Sequence, residues 1–349
     1  MSPLFATGRQ SMGRFRASVA FLVALSLLTI QSAPVFGWFF EGHAQIADIA
    51  WTRLTPRARA AITDILKLGP QAYRPKSDSE ADVRAAFARA SGFADDIKND
   101  RQTPAEYSVL LPQMNRLFFD GEPPANDNEA NRCKTWHYYD VPLRLPEGVT
   151  APPRRTSSIL IAYPYAIVQL KRLSKTPEKE RALQFWWLAW IEHLAGDAHQ
   201  PLHCAESFQY EKEGDAGGNL FLLGFKDERD RQVRLHAYWD GAPNDIITHE
   251  KAQNLAVNLS AVTDRWTKEL PESAFGTAVQ RLSLFRWVAD GASEAQFGVY
   301  EDIKPGEKRD DLKRSGYESR RDELAKRKAV LAGYRLAATL NRIFESPDQ

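Results

Sequence analysis

The segment HLAGDAHQPLH, residues 193–203, places three histidines and an aspartate within eleven residues, which limits the folds that this chain can adopt. Its first histidine and its aspartate, His193 and Asp197, are four residues apart, so both side chains lie on one face if the segment is helical. The segment follows an apolar run that is rich in tryptophan. Because a buried imidazole or carboxylate is costly without a partner, the fold must bring other polar groups to this face.

Other histidines and aspartates in apolar, aromatic surroundings are candidates for those groups. They are His236 and Asp240, which repeat the four-residue spacing in LHAYWD, His137 in WHYYD, Asp95 in FADD, and His203. Neutral imidazoles and carboxylates are good ligands for Zn²⁺, and some carboxylates bridge two ions. One such pair is more often a surface pair or a core histidine with its partner. Two pairs, together with the further histidine at the end of the first segment, favour a zinc cluster.

The apolar periodicity predicts a mainly helical, all-α chain that forms one compact domain. Helices are predicted over 42–54, 56–68, 80–99, 157–173, 177–195, 253–270, 272–292 and 310–344. One small β-hairpin is predicted from the alternating residues at 220–225 and 232–236, which flank a charged turn. The tryptophans within the helix over 177–195 are predicted to pack in the core.

The first 37 residues have the pattern of a secretory signal peptide. Three arginines precede an apolar run over 17–30 that is too short to span a bilayer comfortably. Val35 and Gly37 are small enough for the −3 and −1 positions of a cleavage site. Cleavage there would leave a mature domain over 38–349 and predicts a secreted or periplasmic protein. An uncleaved membrane anchor is the alternative.

The net charge bears on how a nucleic acid could be bound. Removal of the three arginines of the leader turns the formal net charge of +1 into −2. This argues against bulk electrostatic capture of nucleic acid, so any anionic substrate must be attracted locally.

Taken together, the motifs resemble those of the S1/P1 nuclease family, the zinc-dependent endonucleases specific for single strands. The matching motifs, in the order of the family, are Trp38-x4-His43 followed by ADIA, the Ala-Asp at Asp95, WHY at His137, HLAGDAHQPLH, GGN at Asn219, and LHAYWD ending at Asp240. The resemblance implies a helical domain of the phospholipase C/P1 nuclease type.

The resemblance also implies three zinc ions. Their ligands would be Asp95, His137, His193 and Asp197 for the first, His203, His236 and Asp240 for the second, and the Trp38 terminus, His43 and Asp197 for the third. In the family the first mature residue is a tryptophan whose free α-amino nitrogen and carbonyl oxygen bind zinc. An α-amine has a pKa of about 8, so a metal can displace its proton, whereas a peptide nitrogen cannot do the same. Cleavage after Gly37 would therefore complete the site.

The implied reaction is hydrolysis of phosphodiester bonds in single-stranded DNA and RNA, which leaves 5′-phosphates. A water between the two zincs that share Asp197 would be the nucleophile. Asp95 and Asp197 would serve catalysis through the metals, together with Lys98, which matches a cation that holds phosphate. A solvated lysine is the alternative for Lys98, and 3′-nucleotidase activity stays open.

Three residues match substrate contacts of the family. Tyr138 matches an aromatic that stacks on a base, Asp140 a carboxylate that binds the base edge, and Asn219 a second polar contact. Stacking needs an unpaired base, which explains a preference for single strands. The motifs imply a monomer without a stable protein partner, and no membrane attachment after cleavage.

The chain departs from the family pattern at Phe39, where glycine is frequent, and at Phe93, where tryptophan is frequent.

The two cysteines flank the motifs, since Cys133 precedes WHYYD and Cys204 follows a ligand histidine. Both should lie near the cluster, which favours a disulfide between them in an exported protein. A reduced pair or a thiolate ligand is the alternative.

Two other functions compete with a nuclease. A zinc phospholipase C shares the helical plan, but that family has a longer gap after its terminal tryptophan and a glutamate as last ligand, whereas this chain has Asp240. A non-catalytic zinc or nucleic-acid-binding protein would keep the cluster for stability. Structural zinc sites are usually closed and rich in cysteine, so the His/Asp set favours catalysis.

Overall fold

The computed structural model describes residues 38–98, 133–150, 158–173, 182–243 and 255–345. The helices of these ranges are α1 (Phe40–Trp51), α2 (Pro56–Leu68), α3 (Glu80–Ala90), α4 (Phe93–Lys98), α5 (Ile159–Leu173), α6 (Ala182–Asp197), α7 (Leu235–Asp240), α8 (Leu255–Glu269), α9 (Leu284–Glu294), α10 (Arg309–Arg314) and α11 (Tyr317–Glu345). The strands are β1 (Val141–Leu143), β2 (Ala205–Ser207), β3 (Leu222–Lys226) and β4 (Gln232–Arg234). The predicted helical fold class is confirmed.

Helix α6 lies at the centre of the core and packs against α1, α2, α4, α5 and α11. Its three indoles, at Trp186, Trp187 and Trp190, are buried as predicted. A buried aromatic side chain removes roughly 200 Å² from water, which stabilises the fold by at most about 5 kcal/mol. The helix that carries the first motif is thereby fixed within the core.

Three of the predicted helices are interrupted in the structure. The predicted helix 80–99 is divided at Ser91 and Gly92 into α3 and α4, and 310–344 is divided at Gly316, which has a φ of 74°. The predicted helix 272–292 becomes the 3₁₀ segment Glu272–Ala278 and then α9. Apolar periodicity continues through each break because the segments on both sides pack on the same core, so the pattern hides the turn.

The structure contains the predicted hairpin, as the antiparallel pair β3 and β4. It also contains a parallel pair, β1 with β2, that the sequence did not predict. The pairing extends to the residues that precede both strands in the chain: the Tyr139 N–H donates to the His203 carbonyl at 2.9 Å. These bonds bring WHYYD beside the end of HLAGDAHQPLH, so they assemble two of the histidine motifs.

Helix α11 accounts for much of the C-terminal part of the chain, which carries no motif. It packs along α1 and also contacts α2 and α6. None of the described helices is both long and apolar enough to cross a lipid bilayer. Residues 1–37 lie outside the described ranges, so the signal peptide and its cleavage stay predictions.

Candidate metal centre

The fold brings the predicted histidines and aspartates into one buried cluster. Their ligand atoms form three groups, within each of which all atoms lie within 4.8 Å of one another. The groups are His43, Asp95 and His193; His137, His193 and Asp197; and His203, His236 and Asp240. The third group is the ligand set expected for the second zinc. The other two groups share His193. Asp95 belongs to the group of His43, whereas the expected sets placed it with His137 and Asp197.

Asp197, the last residue of α6, is the centre of the cluster. Its Oδ2 lies 2.9 Å from His137 Nδ1 and 3.2 Å from His193 Nε2, and its Oδ1 lies 3.4 Å from His43 Nε2. Full burial alone would raise the pKa of this carboxyl. The charges of His193 and His203 and the hydrogen bonds from the imidazoles outweigh burial, so the pKa lies well below its ordinary value. Asp197 is therefore an anion that several ligand sets can share.

Backbone carbonyls orient three of the imidazoles. His193 Nδ1 lies 2.8 Å from the Ser91 carbonyl, and His203 Nδ1 lies 2.9 Å from the His137 carbonyl. His236 makes the same kind of bond to Gly217 at 2.6 Å. Because a carbonyl oxygen only accepts, each of these rings donates through Nδ1 and turns its Nε2 towards the cluster. This is the usual arrangement around a metal ligand.

His43 provides the clearest test of whether the residues fit a metal. It is 1% exposed, and neither of its ring nitrogens makes a hydrogen bond. Burial and the neighbouring His193, which stacks on it with ring centroids 3.8 Å apart, lower the pKa of His43 to about 4. The ring is thus neutral at ordinary pH. An unsatisfied buried polar group costs about 1–3 kcal/mol, and a metal ion would remove that cost. The donor set fits a divalent ion.

The Trp38 side chain fixes the start of the described chain beside the cluster. Its indole is fully buried and donates to the Gly196 carbonyl at 3.1 Å, one residue before Asp197. The next amide, of Phe39, donates to the Asp240 carbonyl at 3.0 Å. The chain end predicted to bind zinc therefore lies between two predicted ligands. Its role as a ligand stays a prediction.

The predicted substrate residues occupy less buried positions. Tyr138 and Asp140 are half-buried in the segment between the 3₁₀ turn Lys134–His137 and β1. Asn219 is almost buried, and its amide donates to the Ala216 carbonyl at 2.9 Å. The side chain of Lys98 lies outside the described part of the chain. The structure leaves the substrate contacts of these residues as predictions.

The structure does not contain the predicted disulfide between Cys133 and Cys204. Both cysteines are buried thiols. Cys204 Sγ points towards α9: it lies 3.6 Å from the Ala198 carbonyl, and a Cβ added at Gly291 would lie 2.5 Å from it. Burial raises the pKa of both thiols, which disfavours a thiolate ligand. Nearness in sequence to the motifs was misleading, since the direction of a side chain depends on packing.

Sequence reasoning missed the groups that hold the ligands in place. Gln200 donates to Asp240 Oδ1 at 2.6 Å from within HQPLH, where its position beside the motif was the available signal. The carbonyl of Ser91 has no sequence signal, since every residue has a carbonyl, whereas Gly217 begins the GGN motif. His199 is buried in the core: its Nδ1 donates to the Ala195 carbonyl at 2.7 Å, and Arg335 bonds its other nitrogen at 2.8 Å.

The fold and this cluster define a helical protein whose buried site fits divalent metal ions. Residues 38–345 match the model of the family described as S1/P1 Nuclease, and the chain belongs to this family. It is 23% identical over 334 residues to Endonuclease 2 of Arabidopsis thaliana, with 93% of this chain and 96% of the relative covered. It is 28% identical over 323 residues to Endonuclease 4 of the same organism, with coverages of 88% and 90%. Family membership places the chain among the nucleases, which are generally metal-dependent hydrolases.

Proposed function

We propose that this protein is a zinc-dependent endonuclease specific for single strands, which cleaves phosphodiester bonds in DNA and RNA and leaves 5′-phosphates. The observation that carries the proposal is the buried cluster around Asp197, in which three groups of ligand atoms meet in a member of a nuclease family. The names of the two relatives, both endonucleases, support internal cleavage.

The cluster would hold three zinc ions. Imidazole and carboxylate ligands suit Zn²⁺, and a His/Asp set with a shared carboxylate, Asp197, leaves coordination positions open for water. The ligands would be those of the three sets given by the resemblance, including the Trp38 terminus for the ion nearest His43. When bound, such ions supply an acidified water and neutralise the charge of a phosphodiester during in-line cleavage.

The residues of the chain prepare the site for that chemistry. Asp197 stays ionised, and His43 stays neutral, so both offer lone pairs. Gln200 holds the carboxylate of Asp240 and so limits its rotation. Helix α6 holds His193 and Asp197, and backbone carbonyls orient three of the imidazoles. These ligands therefore need little rearrangement when metal binds, which is the preorganisation that catalytic sites require.

Substrate recognition would use the half-buried residues beside the cluster. Tyr138 would stack on an unpaired base, and Asp140 and Asn219 would bind its polar edge. Lys98 would hold a phosphate. Base stacking is independent of sequence but excludes paired bases, so duplex DNA would be a poor substrate. A 3′-nucleotidase activity would use the same metals. Residues 1–37 would direct export and be removed in the process, which would leave a secreted or periplasmic monomer.

The test is hydrolysis of circular single-stranded DNA, which an exonuclease cannot attack. EDTA should abolish cleavage, added Zn²⁺ should restore it, and duplex DNA should remain largely intact. Asp197→Asn should lose activity by at least about 100-fold, while Asp302→Asn, which changes an exposed carboxylate, should leave it unchanged. Full activity of Asp197→Asn would end the proposal. Cleavage of phosphatidylcholine in place of DNA would support a phospholipase C, and bound zinc without either activity would support a binding protein.

A further inference from the structure

A cavity of about 200 Å³ lies beside the GGN loop (217–219), between the end of β2 and the start of β3. We call it the Tyr210 cavity. Its lining includes Ser207, Tyr210, Asp215, Leu220, Leu222 and Pro305. None of these residues is a predicted metal ligand or a predicted substrate contact, so the metal centre does not account for the cavity.

Main-chain hydrogen bonds join the walls of the Tyr210 cavity. The Asp215 N–H donates to the Ser207 carbonyl at 3.0 Å, and the Ser207 N–H donates to Asp215 Oδ1 at 2.9 Å. On the opposite side, the Gly306 N–H donates to the Leu222 carbonyl at 2.8 Å, which holds the turn that contains Pro305 against β3. Because the walls are bonded to one another, a ligand would enter a preformed site and order little of the chain.

The mouth of the cavity is apolar and aromatic. Tyr210, Leu220 and Leu222 are each between 42% and 46% exposed, although they surround a concave site. Single exposed apolar side chains are ordinary, whereas a group of them around a cavity is typical of a binding site. The ring of the buried Phe221 packs edge-on against Tyr210 at 5.7 Å between centroids. Tyr210 is thus an aromatic wall with support behind it.

Charge and size decide what the cavity can hold. Two acidic side chains line it, Asp215 at the buried end and Glu211 at the surface. Acidic groups repel a phosphate, whereas their oxygens accept hydrogen bonds from the N–H groups on the edge of a base. Pockets for drug-sized ligands measure roughly 300–1,000 Å³. The smaller Tyr210 cavity therefore fits one ring system rather than a whole nucleotide.

A cation lies next to the cavity but outside its lining. Arg234 stands opposite Leu222 in the β3–β4 pair, so both side chains lie on the same face of the hairpin. Guanidinium groups bind phosphate. A strand with one base in the cavity would have this cation beside it for its backbone.

The GGN loop connects the cavity to the metal centre. Leu220 directly follows Asn219, and its N–H donates to the Asp215 carbonyl at 3.0 Å. At the other end of the loop, the Gly217 carbonyl accepts from the predicted ligand His236 at 2.6 Å. Three residues span at most about 11 Å, so one strand can reach both places.

We propose that the Tyr210 cavity is a second base-binding site, which takes a nucleobase of the single strand beyond the base contacted by Asn219. This inference rests on the proposed function, because it assumes that the cluster acts on a nucleic acid strand. Packing of one base against an aromatic side chain changes affinity by roughly 5- to 100-fold. The gain should appear only for strands that are long enough to fill both sites.

The test uses phosphorothioate oligo(dA) of increasing length, from the dinucleotide to the octamer, as inhibitors. Their Ki values are measured against hydrolysis of bis(p-nitrophenyl) phosphate, a phosphodiester without a base, by the zinc-loaded full chain. At the length where affinity rises, an oligomer with an abasic residue at either end tests whether a base supplies the gain. Tyr210→Ala removes the aromatic wall, and Tyr210→Phe keeps it. Phe285→Ala removes an exposed ring on α9 and is the matched control.

We expect the Ki of the unchanged protein to fall by about 5- to 100-fold at one length, and the abasic oligomers to lose this gain. Tyr210→Ala should abolish the step while its Ki for the dinucleotide and its hydrolysis of the diester stay unchanged. Tyr210→Phe should keep the step within about threefold, and Phe285→Ala should change nothing.

Three results would overturn the inference. They are a smooth fall of Ki with length, which indicates binding through phosphates alone, an unchanged step in Tyr210→Ala, and an equal loss on the dinucleotide, which indicates a structural role. The proposed function fails separately, if the unchanged zinc-loaded protein cleaves neither circular single-stranded DNA nor the diester.

Discussion

His236 donates its Nδ1 proton to the carbonyl of Gly217 at 2.6 Å, and this bond decides which ring nitrogen faces the cluster. The other nitrogen, Nε2, lies 3.2 Å from Nε2 of His203. Gly217 has a φ of 62°, and the loop that contains it also holds the backbone of His236, whose N–H donates to the Gly218 carbonyl at 3.2 Å. A glycine loop thus sets the orientation of a predicted ligand that is distant in sequence.

Gly217→Ala should weaken zinc binding. The new side chain would be strained at a positive φ, and its Cβ would lie 2.5 Å from the Leu202 carbonyl, so the loop must shift away from His236. Loss of a group that orients a ligand lowers metal affinity by about 10- to 100-fold. Titration with a competing chelator measures the affinity. Gly276→Ala is the control, since Gly276 also has a positive φ, of 54°, but no atom lies within 4 Å of the added Cβ. Equal zinc affinities for the two variants would contradict the prediction.

One extra residue before Trp38 should remove a zinc ion and most of the activity from an otherwise folded protein. The extra residue turns the α-amine into an amide nitrogen, which is no longer a metal ligand. The fold should persist, because the buried indole still donates to the Gly196 carbonyl. Elemental analysis gives the zinc content, and thermal unfolding monitors the fold. An extra residue after Gln349 is the control. Three zincs in both proteins would refute a role for the terminus.

The metal-free protein should lose stability as the pH falls from about 6.5 to about 4. In this range the unfolded chain protonates His43, whose folded pKa of about 4 is lowered by burial and by His193, so the unfolded state binds more protons. The loss attributable to this residue is about 3 kcal/mol, and it is complete below about pH 4. Urea unfolding in EDTA at several pH values measures it.

His43→Gln should reduce that pH dependence. The slope of the free energy of unfolding against pH should not vanish, because burial also lowers the pKa of His199, with Lys328 and Arg335 adding to the effect. An identical slope in the variant and the unchanged protein would show that His43 is already charged in the fold.

Arg84→Ala should destabilise the packing of the helix that carries His43. Arg84 on α3 donates two hydrogen bonds of 2.6 Å to Asp48, which is buried on α1 and also accepts from Thr263 on α8 at 2.6 Å. Removing the guanidinium leaves a buried carboxylate without its counterion, so the free energy of unfolding should fall by about 3–5 kcal/mol. Urea unfolding at neutral pH measures the change.

The matched control for that variant is Arg320→Ala. Arg320 pairs with Asp302 at 3.0 Å, but both side chains are more than half exposed. An exposed pair contributes at most about 1 kcal/mol because water and salt screen it. Similar losses in Arg84→Ala and Arg320→Ala would show that the buried carboxylate is satisfied by other groups.

Much of the candidate site could be predicted from the sequence, because its members follow local rules. The spacing of His193 and Asp197 places both on one helix face, and burial without partners is too costly to be accidental. The helical class followed from apolar periodicity in the same way. The interruptions at Ser91 and Gly316 could not be predicted, since the pattern on either side of a turn is unchanged when both sides face one core.

Residue types and their spacing set the side-chain chemistry: which imidazoles and carboxylates stand in apolar surroundings, and that the surrounding chain is helical. How these groups meet depends on the tertiary structure. The parallel pairing of β1 with β2 brings His137 beside His203, and carbonyls from remote loops choose the nitrogen that each ring presents. The tertiary packing also directs Cys204 towards α9 instead of into a disulfide. These outcomes depend on main-chain groups and on side-chain directions, and neither is encoded by the identity of a residue or by its spacing in the chain.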